Sequence, residues 1–203
     1  MKKLVGTLLL LILLVTLATP VHASVTIQAT INQNIHVVFI LENINSTIYN
    51  ETKQTFNVTT IPNAIIKNLK QQNLTRVRWG YVQDVTFDDT ARSIRSEFYL
   101  AGSDIINFKF NKTTTARIYH VQTKWRKFSV NLTDNFSLDF AEYFDTPLTW
   151  WNYSDSEKAY YYEPTEPDLI DSSCKFVLPP TATNIQRTED TIIFEVPPLL
   201  GDV

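Results

Sequence analysis

From Ser24 to Leu41 apolar residues recur at every second position through Val25, Ile27, Ala29 and Ile31, then run on through Ile35, Val37, Val38, Phe39, Ile40 and Leu41. Alternation of that kind predicts two strands joined around Asn32 to Asn34. From Thr60 the period lengthens, and Ile61, Ile65, Ile66 and Leu69 fall on one helical face. Thr60 is suited to capping free backbone donors there, and Pro62 is tolerated in a first turn, so one short helix is expected, ending near Gln72.

Beyond the helix the period returns to two. One long strand is predicted over 76–88, with Val77, Trp79, Tyr81, Val85 and Phe87 on one face, and a return strand follows through Ile94, Ser96, Phe98 and Leu100. Further segments run through Ile106, Phe108 and Phe110, then from Arg117 to Val130 with an irregularity near Trp125, then through Phe136, Leu138 and Phe140. Short separations between alternating segments favour antiparallel neighbours. The expected fold is therefore α+β and β-rich: a curved antiparallel sheet, a meander, with an N-terminal hairpin and one short helix packed on it. A β-sandwich is the alternative. Residues 145–173, rich in Trp, Tyr and Pro, read as a long loop, and strands at 175–178 and 191–196 read as a terminal hairpin. No repeat divides the chain, so 24–203 is taken as one domain of ordinary size.

Composition narrows the setting. Lys2 and Lys3 precede an apolar run from Leu8 to Leu17, and Val21-His22-Ala23 fits a signal peptidase site. Residues 1–23 are read as a secretory signal cleaved after Ala23, the alternative being a retained signal anchor that would tie the protein to a membrane. Cleavage would remove two of the 18 basic residues and none of the 21 acidic ones. An acidic chain with scattered cations lacks the concentrated positive field that nucleic acid requires. Only 19% of residues are charged, and the four glycines, Gly6, Gly80, Gly102 and Gly201, lie too far apart to cradle a phosphate. Cys174 is the single cysteine, which excludes an intramolecular disulfide. A buried thiol in a strand is its plain reading, and a bond between chains the other.

The pattern Asn-x-Ser/Thr occurs at Asn45, Asn50, Asn57, Asn73, Asn111, Asn131, Asn135 and Asn152. Eight of the 15 asparagines carry it, where about 2 would by chance at ordinary Ser and Thr usage. In an exported chain each is a candidate N-glycosylation site, and a modified asparagine must face solvent. Sugars would also keep a sparsely charged surface soluble.

Candidate chemistry is thin. His36 and His120 belong to no metal-ligating spacing, and nucleophile-elbow, Walker and calcium-loop patterns are missing, so no cofactor or metal is expected. Asp84, Asp88, Asp89, Asp139, Glu142 and Asp145 would converge if strands 76–88 and 136–144 were neighbours, and a close carboxylate pair beside aromatic rings permits glycoside chemistry. Lys124, Arg126 and Lys127 read as a small basic patch around Trp125. Trp150, Trp151, Tyr153, Tyr160, Tyr161 and Tyr162 form the densest aromatic segment, suited either to contact with an extracellular protein or glycan or to anchoring the loop inward. The expectation is an exported, glycosylated, non-enzymatic surface or envelope protein. The alternative is a carbohydrate- or apolar-ligand-binding module using residues 150–162, and a glycoside-active enzyme comes third.

Overall fold

Inward positions on the first strands carry Val25, Ile27, Ala29, Ile31, Val37, Phe39 and Leu41, all fully buried, while Thr26, Gln28 and His36 between them remain partly or fully exposed. In the computed structural model the described residues are 22–81, 84–164 and 170–198. The expected signal segment, up to Val21, lies outside them.

Strand β1 (Ala23–Ile31) and β2 (Ile35–Glu42) pair antiparallel around the turn at Asn32–Asn34. This hairpin does not pack on a sheet but forms its middle. β2 pairs with β5 (Ser93–Ala101), which carries both β3 (Arg78–Tyr81) and β4 (Thr86–Asp88) on its far side. On the other flank β1 runs parallel to β12 (Ile170–Val177), followed by β11 (Ala159–Tyr162) and β10 (Asn152–Ser154). The result is an open, mixed eight-stranded sheet, neither curled nor closed. A second sheet has the order β13 (Thr183–Arg187), β14 (Thr191–Val196), β7 (Arg117–Gln122), β6 (Ile106–Phe110). A third pairs β8 (Ser129–Asn131) with β9 (Ser137–Asp139).

The curved antiparallel meander and the sandwich alternative are both overturned. Alternation assigns faces but not partners, and the β1–β12 pairing joins segments whose aligned residues, Ala23 and Ile170 for one, are far apart in the chain. The expected run of consecutive strands is divided among three sheets. At Gly102 the backbone takes φ +122, and an added Cβ would lie 2.1 Å from the Arg76 carbonyl oxygen, so only glycine admits the turn that carries β5 away into β6. The terminal hairpin is absent as well: β12 joins the large sheet and β14 pairs with β13 and β7. Residues 145–173, read as a loop, contain β10, β11 and the start of β12.

Among the described residues three α-helices stand where one was expected. α1 (Ser46–Thr55) starts at Asn45, whose Oδ1 accepts the Thr47 N–H at 2.9 Å. Its sequence shows little apolar periodicity, and burial rests on Tyr49 and Thr52. α2 (Thr60–Gln71) buries Ile61, Ile65 and Leu69 and packs against β5, β8 and the 3-10 turn at Lys124–Arg126. Thr60 does not cap it; its Oγ1 accepts the Asn57 N–H one turn earlier. α3 (Phe140–Phe144) is capped by Asp139.

The basic patch expected around Trp125 is also corrected, because Trp125 and Arg126 are both fully buried. Arg126 Nε donates to Phe144 O, Nη1 to Thr123 O and Oγ1, and Nη2 to Thr146 O. Nη1 lies 2.9 Å from Asp190 Oδ1, and the guanidinium sits 5.4 Å from the Trp151 ring. Removing one partner from such a site strands several buried acceptors. Arg126→Met is expected to lower the unfolding free energy by about 3–5 kcal/mol, read from urea denaturation; a loss under about 1 kcal/mol would contradict this role.

Candidate functional site

The aromatic segment separates in space. Trp151 is 1% exposed, stacked on Phe176 at 5.3 Å and Tyr162 at 5.4 Å, and its Nε1 donates to Thr146 O. Tyr160 is buried beneath the Arg187 guanidinium, which also donates to Trp151 O, and Tyr153 leans on it at 4.8 Å. Tyr162 accepts from the Thr146 hydroxyl. Period-two alternation drives the division: Tyr160 follows Phe176 into the core, while Tyr161, beside Lys175, faces out. Only Trp150, 79% exposed, and Tyr161 present much ring surface to solvent. Asn152 is the direct cross-strand partner of Tyr161, so a sugar on Asn152 would stand over that ring. The six aromatics therefore make no continuous platform.

The carboxylates do not converge. β3 and β4 belong to the large sheet and β9 to the smallest, so strands 76–88 and 136–144 are not neighbours. Asp89 accepts from Lys53 Nζ at 2.6 Å and Tyr49 Oη at 2.8 Å. These bonds, led by Lys53, hold its carboxyl below the usual range. Burial, reinforced by Asp89, pushes the Tyr49 phenol up to about 12. Asp139 caps α3 and accepts from Ser129. Asp145 is held low by its bond to Lys127. His36 Nε2 lies 3.4 Å from Glu97, which also pairs with Arg95 on the same sheet face. Among the described residues no three His, Cys, Asp or Glu side chains group as metal ligands, and no helix is long and apolar enough to cross a membrane.

The eight glycan acceptors share a chemical feature that their sequence pattern does not contain. Seven are exposed and Asn111 is half-buried. Glycosylation takes place on Nδ2, and none of the eight makes an Nδ2 hydrogen bond shorter than 3.4 Å among the described residues. Asn45, Asn57 and Asn111 use Oδ1 instead, accepting backbone N–H groups of Thr47, Thr59 and Thr113. Of the seven asparagines outside the pattern, Asn68, Asn107 and Asn184 donate from Nδ2 at 2.6, 3.1 and 2.8 Å, while Asn32, Asn34, Asn43 and Asn63 show no Nδ2 bond among the described residues, so the open amide nitrogen accompanies the pattern without being confined to it. Turn-forming chemistry through Oδ1 leaves the amide nitrogen open.

Comparison with known proteins returned no match: no family model fits the chain, and no curated protein or solved structure aligns with it.

Cys174 lies on β12 facing the core, fully buried near Arg126. Burial pushes its thiol from 9.0 up to about 12, Arg126 opposing only in part. Because the folded value exceeds the unfolded one, this contribution to stability is complete below the unfolded pKa and lost as pH rises toward the folded one. Two outcomes are expected: a soluble disulfide reagent labels native Cys174 only as fast as the protein unfolds, and Cys174→Val loses less stability than wild type on alkalinisation. Rapid labelling of native protein would refute the first.

Proposed function

We propose that this chain is an exported, N-glycosylated, non-enzymatic surface or envelope protein that acts through extracellular contacts. The observation that carries the reading is the state of the acceptor asparagines: eight Asn-x-Ser/Thr sites, seven exposed, none with Nδ2 committed to a strong hydrogen bond. A bulky hydrated group is accommodated at such positions without disturbing the core. The low charge fraction fits the same picture, since sugars would supply the hydration that charged side chains elsewhere provide. The apolar run with its Val21-His22-Ala23 site supplies the route to the compartment where transfer takes place.

Glycans at the observed positions would cover much of the helical side. Asn45, Asn50, Asn57 and Asn73 lie in or beside α1 and α2, and Asn131 and Asn135 lie on the β8–β9 hairpin. Contact surfaces are then to be sought elsewhere, on the open face of the large sheet and on the second sheet.

The test is intact-mass measurement of the protein secreted by its native host, before and after treatment with an amidase that removes N-linked glycans. Expected is a mature chain starting at Ser24 and carrying several glycans, with the released sites converted from Asn to Asp. A secreted mass equal to that of bare residues 24–203 would overturn the reading.

A further inference from the structure

Four rings of the aromatic segment are held in place by their neighbours. Trp151 and Tyr162 stack on each other, Tyr153 leans on Tyr160, and Arg187 covers Tyr160. Trp150 and Tyr161 are exposed and have no ring partner, no cation over the face and no side-chain hydrogen bond among the described residues. Both of these unused rings stand beside one glycan acceptor.

Asn152 lies on β10, the three-residue strand at one edge of the large sheet, and pairs directly with Tyr161 of β11. Opposed residues on an antiparallel ladder leave the sheet on the same face, with Cβ atoms about 5 Å apart. Trp150 reaches that face from within the chain: Trp151 is extended, with φ −73 and ψ 147, and its ring is buried, so the side chains on either side of it leave outward. Asn152 commits no side-chain atom to a hydrogen bond with a described residue. Beyond Tyr161 the outer face is open, with a hollow of about 220 Å³ bordered by Tyr161, Glu163, Ser173 and Lys175.

The other acceptors with an aromatic neighbour in the chain are placed differently. Tyr49 and Phe56, beside Asn50 and Asn57, are buried, and Phe136, beside Asn135, packs partly against the core. Phe110 is exposed beside Asn111, but alternation sends the two side chains to opposite faces of the second sheet, Asn111 toward Glu195.

A pyranose chair has a face made of C–H groups. Such a face packs on an aromatic ring as any flat apolar surface does, with added attraction between the polarised C–H groups and the π cloud. We propose that the first sugar of a glycan on Asn152 seats on Tyr161 with Trp150 beside it, so that the exposed rings of the aromatic segment are an intramolecular seat for the chain's own glycan. This role rests on the glycosylation proposed above and adds to it the ligand these rings take. Seated there, the sugar ties β10 to β11 outside the backbone ladder and crowds a sheet edge that is otherwise open to pairing with another chain.

The secreted protein is mapped for glycopeptides and compared with secreted Asn152→Gln, Tyr161→Thr, Trp150→Thr and the double variant Asn152→Gln/Tyr161→Thr. Expected is sugar on the Asn152 peptide. Asn152→Gln should lower the melting temperature by about 2 °C in the wild-type background and by less than about 0.5 °C in the Tyr161→Thr background. Under native conditions Tyr161→Thr should speed amidase release of the Asn152 glycan about fivefold while leaving release at Asn73 unchanged, and Trp150→Thr should act in the same direction by a smaller amount. Three results each overturn the seat: a bare Asn152 in a protein whose other acceptors carry sugar, a melting-temperature loss from Asn152→Gln that persists in full beside Tyr161→Thr, or release at Asn152 indifferent to Tyr161→Thr. If every acceptor is bare, the glycosylation reading fails together with the seat, and the glycopeptide map distinguishes that outcome from failure of the seat alone.

Discussion

The second sheet and the aromatic residues packed on the large one meet around a buried cation, Arg126. Arg126 binds the carbonyls that end α3 and begin the following segment, the hydroxyl that ends β7, the carboxylate in the β13–β14 turn and the face of Trp151. Desolvation alone would make such a charge unaffordable in an apolar core, and it lowers the guanidinium pKa, with Asp190 as the main opposing influence. What holds the site is the geometry of a planar fork whose donors are met by fixed acceptors on different segments. The same acceptors are shared onward: Thr146 O also takes the Trp151 indole N–H, and Asp190 O takes both the N–H and the hydroxyl of Thr123. Arg126 therefore links the second sheet to the aromatic stack that roofs β11 and β12.

That linkage explains which parts of the fold could be read in advance. Inward positions of β1, β2 and β5 follow from alternation, since a half-buried strand must sort side chains by face, and the apolar face of α2 follows from its period. Partners do not follow. Nothing local to Ala23–Thr30 distinguishes parallel pairing with Ile170–Val177 from an antiparallel meander, because either satisfies the same faces. α1 was hidden for another reason: Ile48 and Tyr49 are its only large apolar residues, and its start is fixed by an Asn45 cap that also reads as a glycan acceptor.

Arg126 was misread because charge in a sequence implies solvent, and only the 3-10 turn at Lys124–Arg126 turns this one inward while its neighbours Lys124 and Lys127 stay partly exposed. The aromatic segment shows the same limit from the other side. Six rings within a short stretch suggest a single surface, but β10 and β11 alternate the four tyrosines between core and solvent, and Trp150 and Trp151 precede both strands. Density of a residue type in sequence measures supply, whereas a binding surface needs residues of one parity on paired strands.

Parity also assembles one face of the second sheet from parts that look unrelated in the sequence. Phe108 and Phe110 have the same parity on β6, and cross-strand pairing sets them against Tyr119 and Arg117 on β7. In a sheet that ended where its partner layer ends, these rings would be ordinary core. Here exposure along β6 rises from 8% at Ile106 to 49% at Phe108 and 61% at Phe110, so residues of core type meet solvent, Phe108 in a hollow shared with Gln33 of the β1–β2 turn. The amides at that turn are present because a chain with four glycines makes its turns with Asn and Gln in place of Gly. Scarcity of glycine thus has a chemical by-product: turns that supply hydrogen-bonding side chains, as Gln33 does at the rim of the hollow lined by Phe108 and Tyr119.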